Sequence, residues 1–263
     1  MWELLLPLFG FLIVIVASMT GVGGGIIFVP LLTLAYGFSP AHAVGTSLMV
    51  IIFGGLSATV GFTIQKRVYF KTGVLLALAT VPGSVVGAFL TTILQGAVLG
   101  LVFGVFLVAV AVRMVAANTI FRGRKLQQDN VKAVRCESDL FLNWKRLAAG
   151  TGLAFFGGLV SGLLGVGGGI LLVPIMALVL LMPMHAVVAT SMFAMIFTSL
   201  SGVTQHWTLG NVNLEYGLLL ALGALAGAQV GAWLCKRVSA EKLRLIFGVL
   251  VLVVSVQMIV KYI

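Results

Sequence analysis

Charge is scarce in this sequence. Only 6 of its 263 residues are Asp or Glu and 16 are Lys or Arg, so charged residues make up 8%, against about 25% in a soluble domain. A chain that is 61% hydrophobic, with a mean hydropathy of +1.21, has too few solvated side chains for a water-soluble globule. It reads as an integral membrane protein. Cysteine is scarce as well: Cys136 and Cys235 offer neither a disulfide framework nor the spacing of a metal site. No metal and no cofactor is expected. Residues 1–3 contain Glu3 and no Lys or Arg, so the positive start of a cleaved signal is missing and the first apolar run is expected to stay in the protein. The formal charge of +10 would suggest nucleic acid in a soluble protein. In a membrane protein it is explained by Lys and Arg gathering on the cytoplasmic side, and nucleic acid is not an expected partner.

What the chain does have is a series of apolar runs, two of them interrupted in the same way. Residues 4–20 end at Gly21-Val22-Gly23-Gly24-Gly25-Ile26, and residues 147–164 end at Gly165-Val166-Gly167-Gly168-Gly169-Ile170. The short runs 26–37 and 170–181 follow, each containing a proline, Pro30 or Pro174. A helix of that length covers only about 18 Å of a hydrocarbon core about 30 Å thick, so neither run can cross unaided. The runs 41–64, 72–92 and 97–118 are long enough to span. Between the halves, 119–146 is polar and basic, and reads as a solvated cytoplasmic linker.

The two halves repeat. Gly165 follows Gly21 by 144 positions, and Thr190-Ser191 follow Thr46-Ser47 by the same offset, as do Gly227 and Gly231 after Gly83 and Gly87. Pro183 and His185 match Pro40 and His42 at 143. Charge then sets the relation between halves. The loop 65–71 holds Lys66, Arg67 and Lys71, while its partner 205–216 has no Lys or Arg; the turn 92–97 is uncharged, while its partner 235–244 holds Lys236, Arg237, Lys242 and Arg244. Equivalent loops therefore belong on opposite sides of the bilayer. The pattern predicts an all-α polytopic fold of ten membrane segments, arranged as two inverted-topology repeats of five, 1–118 and 147–263, each opening with a Gly-broken helical hairpin. Both termini are expected outside and the linker inside, in the plasma membrane, which is the inner membrane of a bacterium. Trp2, Tyr36, Trp207, Tyr216 and Tyr262 fall near the outer face of this scheme, and Tyr69, Trp144 and Trp233 near the inner one. Gln205 and His206 have no repeat partner of their own kind and are expected at the outer surface.

Broken helices at depth leave backbone N–H groups that protein, water or ligand must satisfy. Glycines permit the turn and allow close approach. The helix that follows presents unpaired N–H groups and the positive end of its dipole, an arrangement that binds anions and needs no buried Lys or Arg. Gly23, Gly24, Gly25, Gly167, Gly168 and Gly169 are the expected substrate-binding residues. The alternative is that they serve only helix packing. Thr46, Ser47, Thr190 and Ser191, with Ser18 and Ser161 just before the loops, could add hydroxyl donors, or could bond back to their own helices. His42 and His185 are the candidates for proton handling. No Asp or Glu falls inside a span, so coupling rests on a histidine, on the substrate, or on the membrane potential. A small anionic substrate and the lipid bilayer are the expected partners.

The paired Gly21-Val-Gly-Gly-Gly25 and Gly165-Val-Gly-Gly-Gly169, each followed by a proline-bearing helix and then by a His and a Thr-Ser pair, resemble the TauE/SafE family of sulfite and sulfonate exporters. The resemblance covers essentially the whole chain. It implies a permease for small sulfur-containing or organic anions, with the glycine runs as its centre. The expectation is a non-enzymatic carrier of an organosulfonate or sulfite-like anion, acting as an exporter by alternating access. A lactate-like carboxylate uptake carrier and a non-transporting membrane assembly subunit are the alternatives. An enzyme or nucleotide-binding reading of the glycines fails for want of a preceding strand and a following Gly-Lys-Ser/Thr.

Overall fold

The computed structural model describes residues 5–94, 97–106, 108, 109, 144–235, 256, 259 and 260. The linker up to residue 143, with Cys136, and nearly all of the last expected segment lie outside the described residues. Within them the chain is all-helical, without strands. Nine helices follow in order: α1 (Leu6–Thr20), α2 (Gly25–Pro30), α3 (Pro40–Ile64), α4 (Phe70–Ile93), α5 (Ala97–Phe106), α6 (Trp144–Leu164), α7 (Gly169–Pro174), α8 (Met184–Thr208) and α9 (Leu214–Leu234). Five of these, α3, α4, α6, α8 and α9, are long and apolar enough to cross a membrane.

Local chemistry explains the boundaries. α1 stops where Gly21 turns left-handed at φ 73°, a conformation that excludes most side chains. Pro40 opens α3 behind Ser39, whose hydroxyl oxygen accepts the His42 N–H at 3.4 Å, and Asn213 caps α9 by accepting the Tyr216 N–H at 3.2 Å. In α2 and α7 the prolines act alike. Pro30 and Pro174 bring no N–H and crowd the preceding turn, and from the next residue the helix widens into π-helical turns, Leu31–Ala35 and Ile175–Val179.

Packing is reciprocal between the halves. α1 lies along α9 and α6 along α4, while α3 contacts both α8 and α9, and α8 both α3 and α4. A Cβ on Gly83 would meet the Phe155 carbonyl, and one on Gly227 the Phe11 carbonyl; Gly87 faces Leu159 as Gly231 faces Ile15. Each of these partners is displaced by 144 positions from its counterpart. Glycine here buys close approach of backbones, which matters in lipid because helices gain little from burying apolar surface that lipid covers equally well. The outward faces stay apolar, with Ile64 77% and Leu78 69% exposed. α3 and α8 form the centre and run antiparallel, with Gly45 beside His206, Leu48 beside Gly202 and Gly55 beside Met192. At one end, Tyr36 and Phe38 meet Tyr216 edge to face, at 5.5 and 5.0 Å between ring centroids.

One expectation is corrected. His206 does not face the surface: it is 0% exposed, and its Nε2 lies 2.9 Å from the Gly162 carbonyl. A carbonyl can only accept, so Nε2 carries a proton, while Nδ1 has no partner among the described residues. The equivalent position in the first half is Phe62, which is also fully buried. The slot is a core position in both halves, and its polarity in the second half is what misled a reading based on hydrophilicity.

Candidate functional site

The two glycine loops touch. A Cβ on Gly25 would meet the Gly165 carbonyl oxygen, with the Val166 Cα at 2.7 Å, and one on Gly169 would meet the Gly21 carbonyl oxygen at 2.6 Å. Both loops are wholly buried. Gly21, Gly23 and Gly24 have φ of 73°, 92° and 78°, and Gly165, Gly167 and Gly168 repeat them at 71°, 76° and 81°. These are left-handed values that glycine adopts without strain. The same backbone path is therefore built twice.

Each loop is tied to the other half by a serine. The Ser47 hydroxyl donates to the Gly165 carbonyl at 2.8 Å and to its own Val44 carbonyl at 2.8 Å; the Ser191 hydroxyl donates to the Gly21 carbonyl at 2.8 Å and to Val188 at 2.9 Å. Such interhelical bonds in membranes contribute about 0.6 kcal/mol each, so their service is to fix where the loops lie rather than to hold the fold. The neighbouring threonines are also paired across the halves. The Thr46 hydroxyl accepts the Asn213 N–H and the Thr190 hydroxyl accepts the Tyr69 N–H, both at 3.0 Å.

Depth along the central helices follows from two side chains. Ile51 and Met195, equivalent residues at the middle of α3 and α8, both reach the loops. The Met195 sulfur would lie 2.8 Å from a Cβ on Gly23, 3.3 Å from one on Gly167 and 2.6 Å from one on Gly169, and Ile51 Cγ2 lies 3.1 Å from the Gly167 position. The loops thus sit at mid-length of the two central helices. Polarity alone does not mark Ile51 or Met195 as site residues; only their shared offset of 144 could have flagged them.

α2 and α7 begin immediately after the loops, with Gly24 and Gly168 as their N-caps. The first backbone donors to find carbonyls are Ile27 and Phe28, both on Gly24, and Leu171 and Leu172, both on Gly168. The amides of Gly23 to Ile26 and of Gly167 to Ile170 have no acceptor among the described residues. Two positive helix ends meet here, eased by the Gly21 and Gly165 carbonyls lying against the opposite helix start.

The remaining predicted residues divide. Ser18 is buried and donates to Val14 and Ile15 of its own helix at 2.8 and 3.1 Å, facing Gly231 of α9. Ser161 is buried beside Gly168 with no partner for its hydroxyl among the described residues. His42 and His185 are exposed at the starts of α3 and α8, and His42 Nδ1 is paired with the Ser39 hydroxyl at 2.7 Å. Sequence reasoning passed over Thr80 and Thr198, whose buried hydroxyls meet at 2.6 Å between α4 and α8.

A family model described as "Sulfite exporter TauE/SafE" matches residues 6–258. The chain is 31% identical over 252 residues to the probable membrane transporter protein YunE of Bacillus subtilis, covering 93% of this chain and 92% of that one. It is 26% identical over 263 residues to the probable membrane transporter protein MJ0441 of Methanocaldococcus jannaschii, at 93% and 92% coverage. It is also 31% identical over 133 residues to the sulfite exporter TauE/SafE family protein 3 of Arabidopsis thaliana, covering 51% of this chain and 27% of the plant protein. No solved structure matches.

Proposed function

The chain belongs to the TauE/SafE family and is a membrane transporter; from that premise we propose that it carries a small organosulfonate or sulfite-like anion outward by alternating access. The anion is held where the two glycine loops meet, by the free amides of Gly23–Gly25 and Gly167–Gly169, with Ser18, Thr46, Ser47, Ser161, Thr190 and Ser191 as the hydroxyls around them. The observation that carries this reading is the contact between the loops, each opening a short helix with unpaired N–H groups. Backbone amides clustered at the positive ends of two helices suit an oxyanion. They also explain how the chain could do without a cation beside the loops.

The scaffold is read as ten segments in two inverted repeats of five, with the glycine hairpins ending at mid-membrane. The antiparallel course of the equivalent helices α3 and α8, the reciprocal serine ties and the split of basic loops all support it. A membrane potential, worth about 2.3 kcal/mol per charge per 100 mV, drives an anion outward without further coupling. If protons take part, the candidates of the sequence, His42 and His185, would act from the ends of α3 and α8.

Flux into proteoliposomes across a panel of sulfite, methanesulfonate, lactate and sulfate, with and without pH and voltage gradients, tests substrate and coupling together. The expected result is voltage-driven flux of sulfite or sulfonate; lactate flux alone would replace the reading with the carboxylate carrier. Topology is tested by single cysteines. Those at Asn211 and Gln95 should react from outside and those at Lys66 and Lys242 from inside, and a reversal would discard the inverted repeat; Gln95 and Lys242 lie outside the described residues. Cys235 adds little background, since burial pushes its thiol up and leaves less thiolate to react.

A further inference from the structure

The two loops share a backbone but not their walls. A Cβ on Gly24 would meet only carbon: Phe28 Cε2 at 3.0 Å, Ala17 Cβ at 3.3 Å and Ile13 Cγ2 at 3.4 Å. One on Gly168 would meet the Gly157 carbonyl oxygen at 3.3 Å, then Ser161 Cβ and Thr198 Cγ2, both at 3.6 Å. At this position the second loop has slightly more room, and two hydroxyl-bearing side chains stand beside it in place of carbon alone.

Ser161 is the informative residue. It is 0% exposed and its Oγ has no hydrogen-bond partner among the described residues. Among the described residues Ser18, Ser47, Ser191, Thr80 and Thr198 all reach a carbonyl or another hydroxyl; Thr59 and Ser199 share the lack of a partner, but neither is among the nearest neighbours of a loop glycine. An unpaired donor enclosed in a low-dielectric interior is costly unless a ligand supplies the acceptor. Position 144 residues earlier is Ala17, and Thr198 corresponds in the same way to Gly54, so the first half has no hydroxyl at either place.

Resting on the anion-site reading above, we propose that the site is one-sided. The oxyanion head binds at the second loop, against the amides of Gly167–Gly169, with Ser161 Oγ–H as its side-chain donor, and the first loop, walled by carbon at Gly24, closes over the opposite side. The duplicated backbone brings amides from both halves together, and the unequal walls choose the pole that takes the charge. A pyramidal SO3 group, with several acceptor oxygens fanned out from one centre, can take the amides and the hydroxyl together. A planar carboxylate offers fewer directions, so the hydroxyl favours sulfite and sulfonates.

The experiment is sulfite and methanesulfonate flux in proteoliposomes with Ser161→Ala, which installs the residue already standing at position 17. A hydrogen bond from a buried donor to a charged group sets the scale, and KM for both anions should rise about tenfold or more, with kcat and membrane yield held. Ser161→Cys keeps a weaker donor of similar size and should fall between; it decides the matter if the alanine variant does not reach the membrane. Ala17→Ser should leave KM where it was. Wild-type KM in both Ser161 variants overturns the one-sided site, as does a drop in KM for Ala17→Ser. The parent reading fails separately: if Val at Gly24 and at Gly168 leaves flux intact, there is no anion site at the loops, whereas if both abolish it while Ser161→Ala is silent, only the asymmetry falls.

Discussion

Replacing Gly24 or Gly168 with Val lowers anion flux by more than about 100-fold, the scale of losing one preorganised donor, while the protein still inserts. Gly24 has φ of 78° and Gly168 of 81°, where an ordinary L residue is disfavoured by about 1–2 kcal/mol and a β-branched one by more. At Gly168 the nearest neighbour to a Cβ is the Gly157 carbonyl oxygen at 3.3 Å, a tight contact relieved by a shift of a few tenths of an ångström, so the backbone angle is the larger obstacle. The strain is local and too small to unfold a chain anchored by its long helices. It re-aims the amides at the start of α2 or α7, and those amides are the proposed ligands. Flux in proteoliposomes, normalised to protein in the membrane fraction, gives the answer; normal flux would remove the loops from the mechanism.

Gly25→Ala and Gly169→Ala fail by a different route. Both positions are helical, so alanine there should help by nearly 1 kcal/mol on propensity alone. Contact reverses the sign. The new methyl at 25 runs into the Gly165 carbonyl and the Val166 Cα, and the one at 169 into the Gly21 carbonyl and, at 2.9 Å, the Val22 carbonyl carbon. These are backbone atoms in loops pinned by Ser47 and Ser191, so the loops must part. Overpacking of this sort costs about 1–3 kcal/mol and commonly more against backbone, so the midpoint of thermal unfolding in detergent should drop by roughly 5–10 °C. Flux should fall with it. A variant as stable as the parent, or more so, would mean that the loops do not meet.

The two pairs differ by one residue in sequence and by mechanism in structure. At Gly24 and Gly168 the backbone angle decides; at Gly25 and Gly169 the neighbour decides. A run of three glycines reads the same at every position, which is why the sequence marks the loop and cannot say what each glycine does. The serines show the same limit. Ser47 and Ser191 are matched by the repeat, but whether their hydroxyls face a ligand, their own helix or the other loop depends on how the halves dock. Ser18 and Ser161 look alike beside their loops, yet Ser161 aligns with Ala17 and Ser18 with Gly162 once the offset of 144 is applied. That single-residue slip puts one against α9 and the other beside Gly168.

Membrane residence, the duplication, the broken helices and the family were legible in the chain itself, because each is a local or periodic property: run length, spacing at one offset, glycine and proline at fixed places. Contact between the glycine loops, the burial of His206, and the reach of Ile51 and Met195 to the loops were decided only by the tertiary structure. They depend on which faces of α3 and α8 oppose each other, and in an apolar environment hydropathy no longer distinguishes one face of a helix from another.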